Sequence, residues 1–532
     1  MMYMDQLKEL GLAGLKKVYW NLPEIKLIFQ TIEKKQGKLN TTGALVCNTG
    51  EFTNSLSEDR YIVNDKLTEK NICWDKDNCP YSSKDFDNLY NQIVEFISEK
   101  ELYITDTYVS AKEDYRLNIR VLSQFPWQSL FIKNQYGEQP EGQFMSALPD
   151  WHIIVAPDFK ADPEKNNTGK QNFTIINFTE KMILIGGTAY CGEVKKAIFT
   201  VLNYVLPLEK NVLPLQCSAN IGQKKDIALF FGASGTGKTT FTADPSRLLL
   251  GDDEHGWDNE NLFNLTKGCY SKCFNLNEEK EPQIFSAIRF GALLENACFF
   301  KDTDITDFSN KKITENIRAT YPLHFIENTA DSLMGNTPKN IFFLTCDAFG
   351  VFPLISKLTP EQAGYYFISG YTVKIKKDTQ ENLQPEALFT PCFSESVLPL
   401  HPGIYTELLF EKIRNKKINV WLVNTGWSGG PYSIGSRIKL SYTKTIIKAA
   451  INGELNEVNY IKQPITGLLM PLYCKDVPSH LLDPENTWGN KDHYLITLKK
   501  VTEKFTQNFC KYEAFITTNI KLGSFLQVME AE

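Results

Sequence analysis

No apolar run in this sequence approaches a membrane span, although the chain is 532 residues long. Positive charge is not in surplus either. Lys and Arg total 57 against 63 Asp and Glu, a formal net charge of −6, so bulk charge does not point to a nucleic-acid partner. Cysteine is thin, with 12 residues spread from Cys47 to Cys510. A disulfide scaffold packs more into less chain, so reduced thiols and a cytoplasmic protein are expected. Cys269 and Cys273 are four apart but have no second pair of metal-type ligands nearby, which favours structural thiols. The opening MMYMDQLKELGL lacks a basic region followed by an apolar core, which argues against a secretory signal. There is no internal repeat and no low-complexity tract. What remains is ordinary for a globular protein: 42% hydrophobic and 23% charged residues, in a chain long enough for two domains.

The first half mixes helix and strand signals. KDFDNLYNQIVEFISEK, from Lys84 to Lys100, carries apolar residues at helical spacing. ELYITDTYVS and WHIIVAPDF read as strands, and FTIINFTEKMILIGG as two strands around a polar turn. EVKKAIFTVLNYVLP reads as a helix that Pro207 ends. Polar, Pro-containing sequence up to Pro214 suggests a junction. The expected division is an N-terminal domain over 1–210 and a C-terminal domain over 211–532. DIALFF, RLLLGDD, NIFFLTCDAF and INVWLVNTGW then read as strands. The class is mixed α/β.

FFGASGTGKTT, from Phe230 to Thr240, satisfies G-x-x-x-x-G-K-[ST] directly after a predicted strand. Gly232, Ser234, Gly235, Thr236, Gly237 and Thr240 form a turn whose backbone N–H groups can meet phosphate oxygens. Lys238 can reach the β and γ phosphates, and the Thr239 hydroxyl can ligate Mg²⁺. A plain flexible turn would not need strand, loop and Lys-Thr together. Further on, RLLLGDDEHGW presents Asp252 and Asp253 at the end of an apolar strand, where a carboxylate can hold a divalent cation directly or through water. A solvated acidic turn is the plainer alternative. His255 beside these acids reads as a hydrogen-bonding partner.

With both motifs in hand, the chain resembles the ATP-dependent phosphoenolpyruvate carboxykinase family over nearly its whole length. The resemblance rests on GGTAYCGEVKKAIF, CSANIG, FFGASGTGKTT, LLGDDEHGW, TENIRATYP, FLTCDAFGVFP, LPLHP and NTGWSGGPYSIGSRI. It implies a two-lobed α/β fold with the active site in the cleft. It implies conversion of oxaloacetate and ATP to phosphoenolpyruvate, ADP and CO₂, with Mg²⁺ on the nucleotide and a second divalent ion, Mn²⁺ or Mg²⁺. Residue by residue, it makes Lys238 and Thr239 the loop Lys and the Mg²⁺ hydroxyl. Asp253 becomes the carboxylate on the second metal, with Asp252 beside it. Lys196 matches a neutral-amine metal ligand and Lys195 a phosphate-side cation. Tyr190 matches a tyrosine near the CO₂ and enolate position, and Arg318 an arginine bridging γ phosphate and substrate. Arg437, Ile438 and Thr443 match the adenine-pocket segment. Without the resemblance, Lys195 and Lys196 would pass as an exposed helical pair, Arg318 as a surface residue and Tyr190 as a core aromatic.

Two departures fall on chemistry. The family loop T-G-x-[FY]-T-G-R-S-P-x-D-K carries an Arg that grips the substrate carboxylate. Here the stretch is TGEFTNSLSEDRYIV, Thr49–Val63. Thr49, Gly50, Phe52, Thr53, Asp59 and Ile62 align, but Asn54 replaces the Gly, Ser55 the Arg, and Leu56-Ser57 the Ser-Pro. Ser55 cannot make a bidentate, charge-assisted pair. Hydrogen bonds to charged groups contribute roughly 1.5–3 kcal/mol each, so losing two weakens dianion binding by orders of magnitude. Arg60 matches the terminal Lys of the loop and is not a replacement. Gln216 stands where the family has a metal-ligating His. An amide oxygen is a harder, weaker ligand that suits Mg²⁺ better than Mn²⁺. Val373–Glu395 also lacks the usual Gly-Thr-Glu and Thr-Glu-Pro segments of a mobile lid. Three functions follow. The first is the family reaction, weakened. The second is a kinase transferring phosphate to another small-molecule or protein acceptor. The third is a nucleotide-binding pseudoenzyme. Tyr190, Lys196 and Arg318 favour the first over the third, Ser55 and Gln216 favour the second over the first, and the whole-length resemblance places the family reaction first.

Overall fold

The computed structural model describes residues 2–12, 14–55, 59–138, 148–233, 235–377, 383–394 and 396–525. The chain forms two compact units. The first comprises Met1–Val205 and Asn264–Thr329, the second Leu206–Phe263 and Ala330–Glu532. These are not the contiguous blocks 1–210 and 211–532 that the sequence suggests. The reason is strand pairing: Leu293–Glu295 lies parallel to Leu45–Cys47 and antiparallel to Arg318–Pro322, which in turn pairs with Gly268–Lys272. That ladder draws the 264–329 segment back to the first unit.

The first unit is built on a nine-stranded sheet. Its order runs Lys17–Trp20, Glu101–Val109, Leu117–Ser123, Trp151–Ala156, Met182–Gly186, Phe173–Asn177, Arg60–Asn64 and Cys79–Ser82, with Gly137–Glu138 pairing on Glu101–Val109. The predicted strand pair FTIINFTEKMILIGG forms as an antiparallel pair, Phe173–Asn177 against Met182–Gly186. The Ser83–Ile97 helix starts where the Ser82 hydroxyl accepts from the Asp85 N–H at 3.0 Å. Its Phe86, Leu89, Ile93 and Ile97 recur every three or four residues and are buried against Tyr61, Val63, Ile104 and Ile175.

The Gly192–Lys210 helix runs past Pro207, which the sequence reading took as its end. The proline falls in the last turn, so it removes a single N–H from the ladder with only three helical residues left to disturb, and Val212 N–H closes on the Leu206 carbonyl at 3.0 Å.

In the second unit, an eight-stranded sheet has the order Leu248–Gly251, Ser218–Ile221, Ile227–Phe231, Asn340–Thr345, Asn419–Asn424, Ile355–Leu358, Leu469–Pro471 and Tyr460–Lys462. Ile227–Phe231, Asn340–Thr345 and Asn419–Asn424 are parallel neighbours. The first two are wholly buried, which explains their unbroken apolar runs. Phe230 and Phe342 stack at 5.1 Å within a core that includes Trp421, Ile446 and Ile447. A second sheet orders Leu213–Gln216, Glu254–Trp257, Asn261–Asn264 and Met334–Asn336. Among the described residues, no helix is long and apolar enough to cross a membrane. None of the 12 cysteines is in a disulfide.

Candidate active site

The glycine loop follows the buried Ile227–Phe231 strand and opens the short Lys238–Thr242 helix. Gly237 caps that helix at φ +103°, left-handed backbone that a side chain resists. A Cβ there would also sit 2.6 Å from the Phe241 ring. Gly232 and Gly235 also have positive φ. Thr236 is buried and donates to the Ala233 carbonyl at 2.8 Å, closing the turn internally. Lys238 Nζ reaches back to the Gly232 carbonyl at 2.5 Å, so its ammonium lies across the loop. Thr240 is exposed, while Thr239 is half-buried on the helix. Ser234, expected in the loop, lies outside the described residues.

Asp252 and Asp253 form the bend between Leu248–Gly251 and Glu254–Trp257. Cys217 N–H donates to the Asp253 carbonyl at 2.8 Å, and the Ser218 hydroxyl to the Asp252 carbonyl at 2.5 Å. The Leu213–Gln216 and Glu254–Trp257 ladder places Gln216 opposite Glu254, the residue that follows the acidic bend. The buried Cys217 thiol is pushed up first by burial and then by the charge of Asp253, and is pulled down by the charge of Lys238. The loop lysine and the acid thus act on one buried group. His255 is fully buried, and its Nδ1 meets the Cys217 carbonyl at 2.9 Å. Burial lowers its pKa to about 4, so it is neutral and holds the bend as a hydrogen-bonding partner.

In the first unit, Tyr190 precedes the Gly192–Lys210 helix and is 5% exposed. Lys195 is buried and Lys196 half-buried, so they are not the exposed pair that a bare KK on a helix suggests. Arg318 opens the Arg318–Pro322 strand, and its guanidinium lies 5.4 Å from the Tyr270 ring. Asn316 joins these residues. Its Oδ1 accepts from Arg318 Nε at 2.8 Å, and its Nδ2 meets the Tyr190 hydroxyl at 3.2 Å and the Thr53 carbonyl at 2.8 Å. Burial raises the Tyr190 pKa, keeping its phenol neutral.

The altered loop is anchored at its start, where Thr49 N–H donates to Asn296 Oδ1 at 2.9 Å. The Ser55 hydroxyl is buried, with no hydrogen-bond partner among the described residues. Leu56 and Ser57 lie outside the described residues, as do 378–382 and Glu395 in the Val373–Glu395 segment. Arg60 is 5% exposed, and its guanidinium donates to the Thr200 hydroxyl at 2.6 Å. It is held against the Gly192–Lys210 helix.

A cleft of about 530 Å³ in the second unit is lined by Ser428, Ile434, Arg437, Ile438, Tyr442 and Thr487, among others. Arg437 and Ile438 therefore share one open surface. Thr443 does not line it; at 1% exposure it is buried in the Leu440–Asn452 helix.

Sequence reasoning missed four residues. Asn316 sat inside a quoted motif, two positions before Arg318, with no role given. Tyr270 and Glu295 lie far apart in sequence and meet only through strand pairing. Glu295 could have been noticed as a lone acid ending the apolar run GALLEN. Asp347, in FLTCDAFG, is fully buried; burial raises its pKa, while N–H groups of Phe349, Val351 and Phe352 and the Tyr371 hydroxyl all donate to it at 2.8–3.1 Å. It ties together the loop after Asn340–Thr345.

A glycine loop between a buried parallel strand and a Lys-Thr helix, with an acidic bend on the same unit, is the construction of a P-loop phosphotransferase. A family profile described as phosphoenolpyruvate carboxykinase matches residues 16–480. A Flavobacterium johnsoniae protein named phosphoenolpyruvate carboxykinase (ATP) is 46% identical over 519 residues, 97% of each chain. One of the same name from Christiangramia forsetii is 48% identical over 96% of each chain. A third, from Amoebophilus asiaticus, is 46% identical over 96% of this chain and 98% of its own. This chain belongs to the ATP-dependent phosphoenolpyruvate carboxykinase family.

Proposed function

We propose that this protein converts oxaloacetate and ATP to phosphoenolpyruvate, ADP and CO₂ in the cytoplasm. The observation that carries the reading is near-half identity over 96–97% of both chains, with the phosphate loop and acidic bend intact. Lys238 binds the β and γ phosphates through its ammonium. The backbone of Gly232–Thr240, including Ser234, cradles their oxygens. Arg437 and Ile438 receive the base, and Thr443 supports their segment from within its helix. In this reading the second unit is the nucleotide side and the first the substrate side. Lys195 and Arg318 stabilise the equatorial oxygens during transfer, where fixed charge contributes most. Tyr190, held neutral by burial, stands beside the leaving CO₂.

The donors fit divalent cations. Thr239, Asp253 and Gln216 offer hydroxyl, carboxylate and amide oxygens suited to Mg²⁺, with Asp252 behind them. Lys196 would add an amine nitrogen once deprotonated. Among the described residues, no group of three or more His, Cys, Asp or Glu forms a metal cluster. A set with one direct carboxylate, one amide, one hydroxyl and one amine would not form such a cluster. Divalent cations held by these residues would supply positive charge to the phosphate oxygens. On the acid side, Ser55 stands where the family has a guanidinium and its hydroxyl is buried, so the substrate is held more weakly.

The test supplies phosphoenolpyruvate, ADP and bicarbonate and reads oxaloacetate through malate dehydrogenase and NADH. Oxidation of NADH that depends on all three supports the reading. Tight ATP binding with no oxaloacetate formed overturns it and points to another phosphoryl acceptor.

A further inference from the structure

Glu295 ends the Leu293–Glu295 strand in the first unit and is completely buried. A buried carboxylate is costly unless its oxygens are satisfied. Here each oxygen has a specific partner. Oε1 accepts from the Cys191 N–H at 3.0 Å, one residue before the Gly192–Lys210 helix. Oε2 accepts a short hydrogen bond from the Tyr270 hydroxyl. On the neighbouring strand its register partner is Arg318. The Tyr270 ring lies 6.4 Å from the Tyr190 ring and 5.4 Å from the Arg318 guanidinium. Lys195 N–H bonds the Cys191 carbonyl, so the peptides on either side of Cys191 link Glu295 to the first turn that carries the lysines.

We propose that Glu295 is a positioning residue. Its single carboxylate fixes the Tyr270 phenol, and with it the Tyr190–Arg318 pair, relative to the helix start that presents Lys195 and Lys196. The inference rests on the carboxykinase reading. Burial raises the Glu295 pKa, while the Tyr270 and Cys191 hydrogen bonds and the Arg318 charge lower it, so the carboxylate's charge depends on the groups it positions. A displacement of about 1 Å in such a group can cost a hundredfold in rate, so a rigid link between the two sets matters to the chemistry.

Glu295→Gln keeps the size of the side chain and the bond from Cys191, but presents an N–H₂ or a neutral oxygen to Tyr270. Tyr270→Phe keeps the ring and removes only the hydroxyl. Each variant should lower kcat tenfold or more, move KM less than threefold and leave the Kd for ATP unchanged. The double variant should be no slower than the slower single variant, because both break one link. Losses that multiply, or a folded variant with kcat within twofold of the parent, would overturn the proposal. If the parent protein shows no carboxykinase turnover, the functional reading fails, but the link is still measurable. Glu295→Gln should then speed amide hydrogen exchange across residues 191–196, and parental exchange there would overturn the link as well.

Discussion

The two ends of the proposed reaction are built differently. On the phosphate side, strand, glycine turn, lysine and acidic bend are close in sequence and interlock through backbone hydrogen bonds such as Cys217 N–H to the Asp253 carbonyl. On the carboxylate side, Ser55 stands in a loop anchored by Thr49 on Asn296 and by the Thr53 carbonyl on Asn316, and its buried hydroxyl has no partner among the described residues. The first set is specified by its own backbone. The second depends on one side chain at the end of a loop, and that side chain has changed. A site can therefore keep its phosphoryl machinery while its grip on the acid drifts, because few structural bonds depend on that grip.

The largest expected effect lies on the intact side. Lys238→Ala should cut ATP-dependent turnover by ~10²–10³, the usual loss for a preorganised charge on a transferring group. Turnover like the parent's in steady-state assays would remove the loop from the reaction.

Acid should also separate the two units. His152 in the first unit and His255 in the second are both held near pKa 4, each mainly by burial. A depressed histidine pKa means the unfolded chain takes up a proton that the folded one refuses. The stability is intact above pH ~6.5 and is lost as pH falls toward 4. For fully buried His255 the loss is on the order of 2–3 kcal/mol, and for partly exposed His152 it is smaller. Urea unfolding at pH 7.5 and 5 should show His255→Gln flattening the profile more than His152→Gln. Equal flattening would mean that the acidic bend is no more closed than the first unit's sheet.

A smaller effect is expected from repairing the altered side. Replacing 54–57 with Gly-Arg-Ser-Pro, together with Gln216→His, should raise kcat/KM for oxaloacetate by at least about tenfold, mostly through KM. No gain over an already efficient parent would mean that Ser55 is compensated. Gln216→His alone should increase the preference for Mn²⁺ over Mg²⁺ by several-fold, read as turnover against metal concentration. An unchanged preference would place Gln216 outside the metal site.

What the sequence could reveal follows the same division. FFGASGTGKTT and LLGDDEHGW were legible because local backbone makes their geometry, and their strands formed where the apolar runs predicted. The burial of Lys195 was not legible, since KK on a helix gives no sign of what packs over it. The Tyr270–Glu295 bond was not legible because 25 residues separate the partners and only the pairing of Gly268–Lys272 and Leu293–Glu295 with Arg318–Pro322 brings them together. The return of 264–329 to the first unit escaped for the same reason: no local signal announces a partner strand about 250 residues upstream.

That return has a consequence for synthesis. Leu45–Cys47 leaves the ribosome early, but its parallel neighbour Leu293–Glu295 is 248 positions behind it. At about 5–20 residues per second, the wait is on the order of 10–50 s. Throughout that interval the early strand has an open edge, and only Gly37–Leu39 is available to cover its other side. The nascent chain therefore passes through a stage in which only the 206–263 part of the second unit, with the glycine loop and acidic bend, has been made while the first unit is still incomplete. Slow translation through residues 206–263 would lengthen the exposure, and a chain truncated anywhere before Thr329 should be far more prone to aggregate than one shortened at its C-terminal helix.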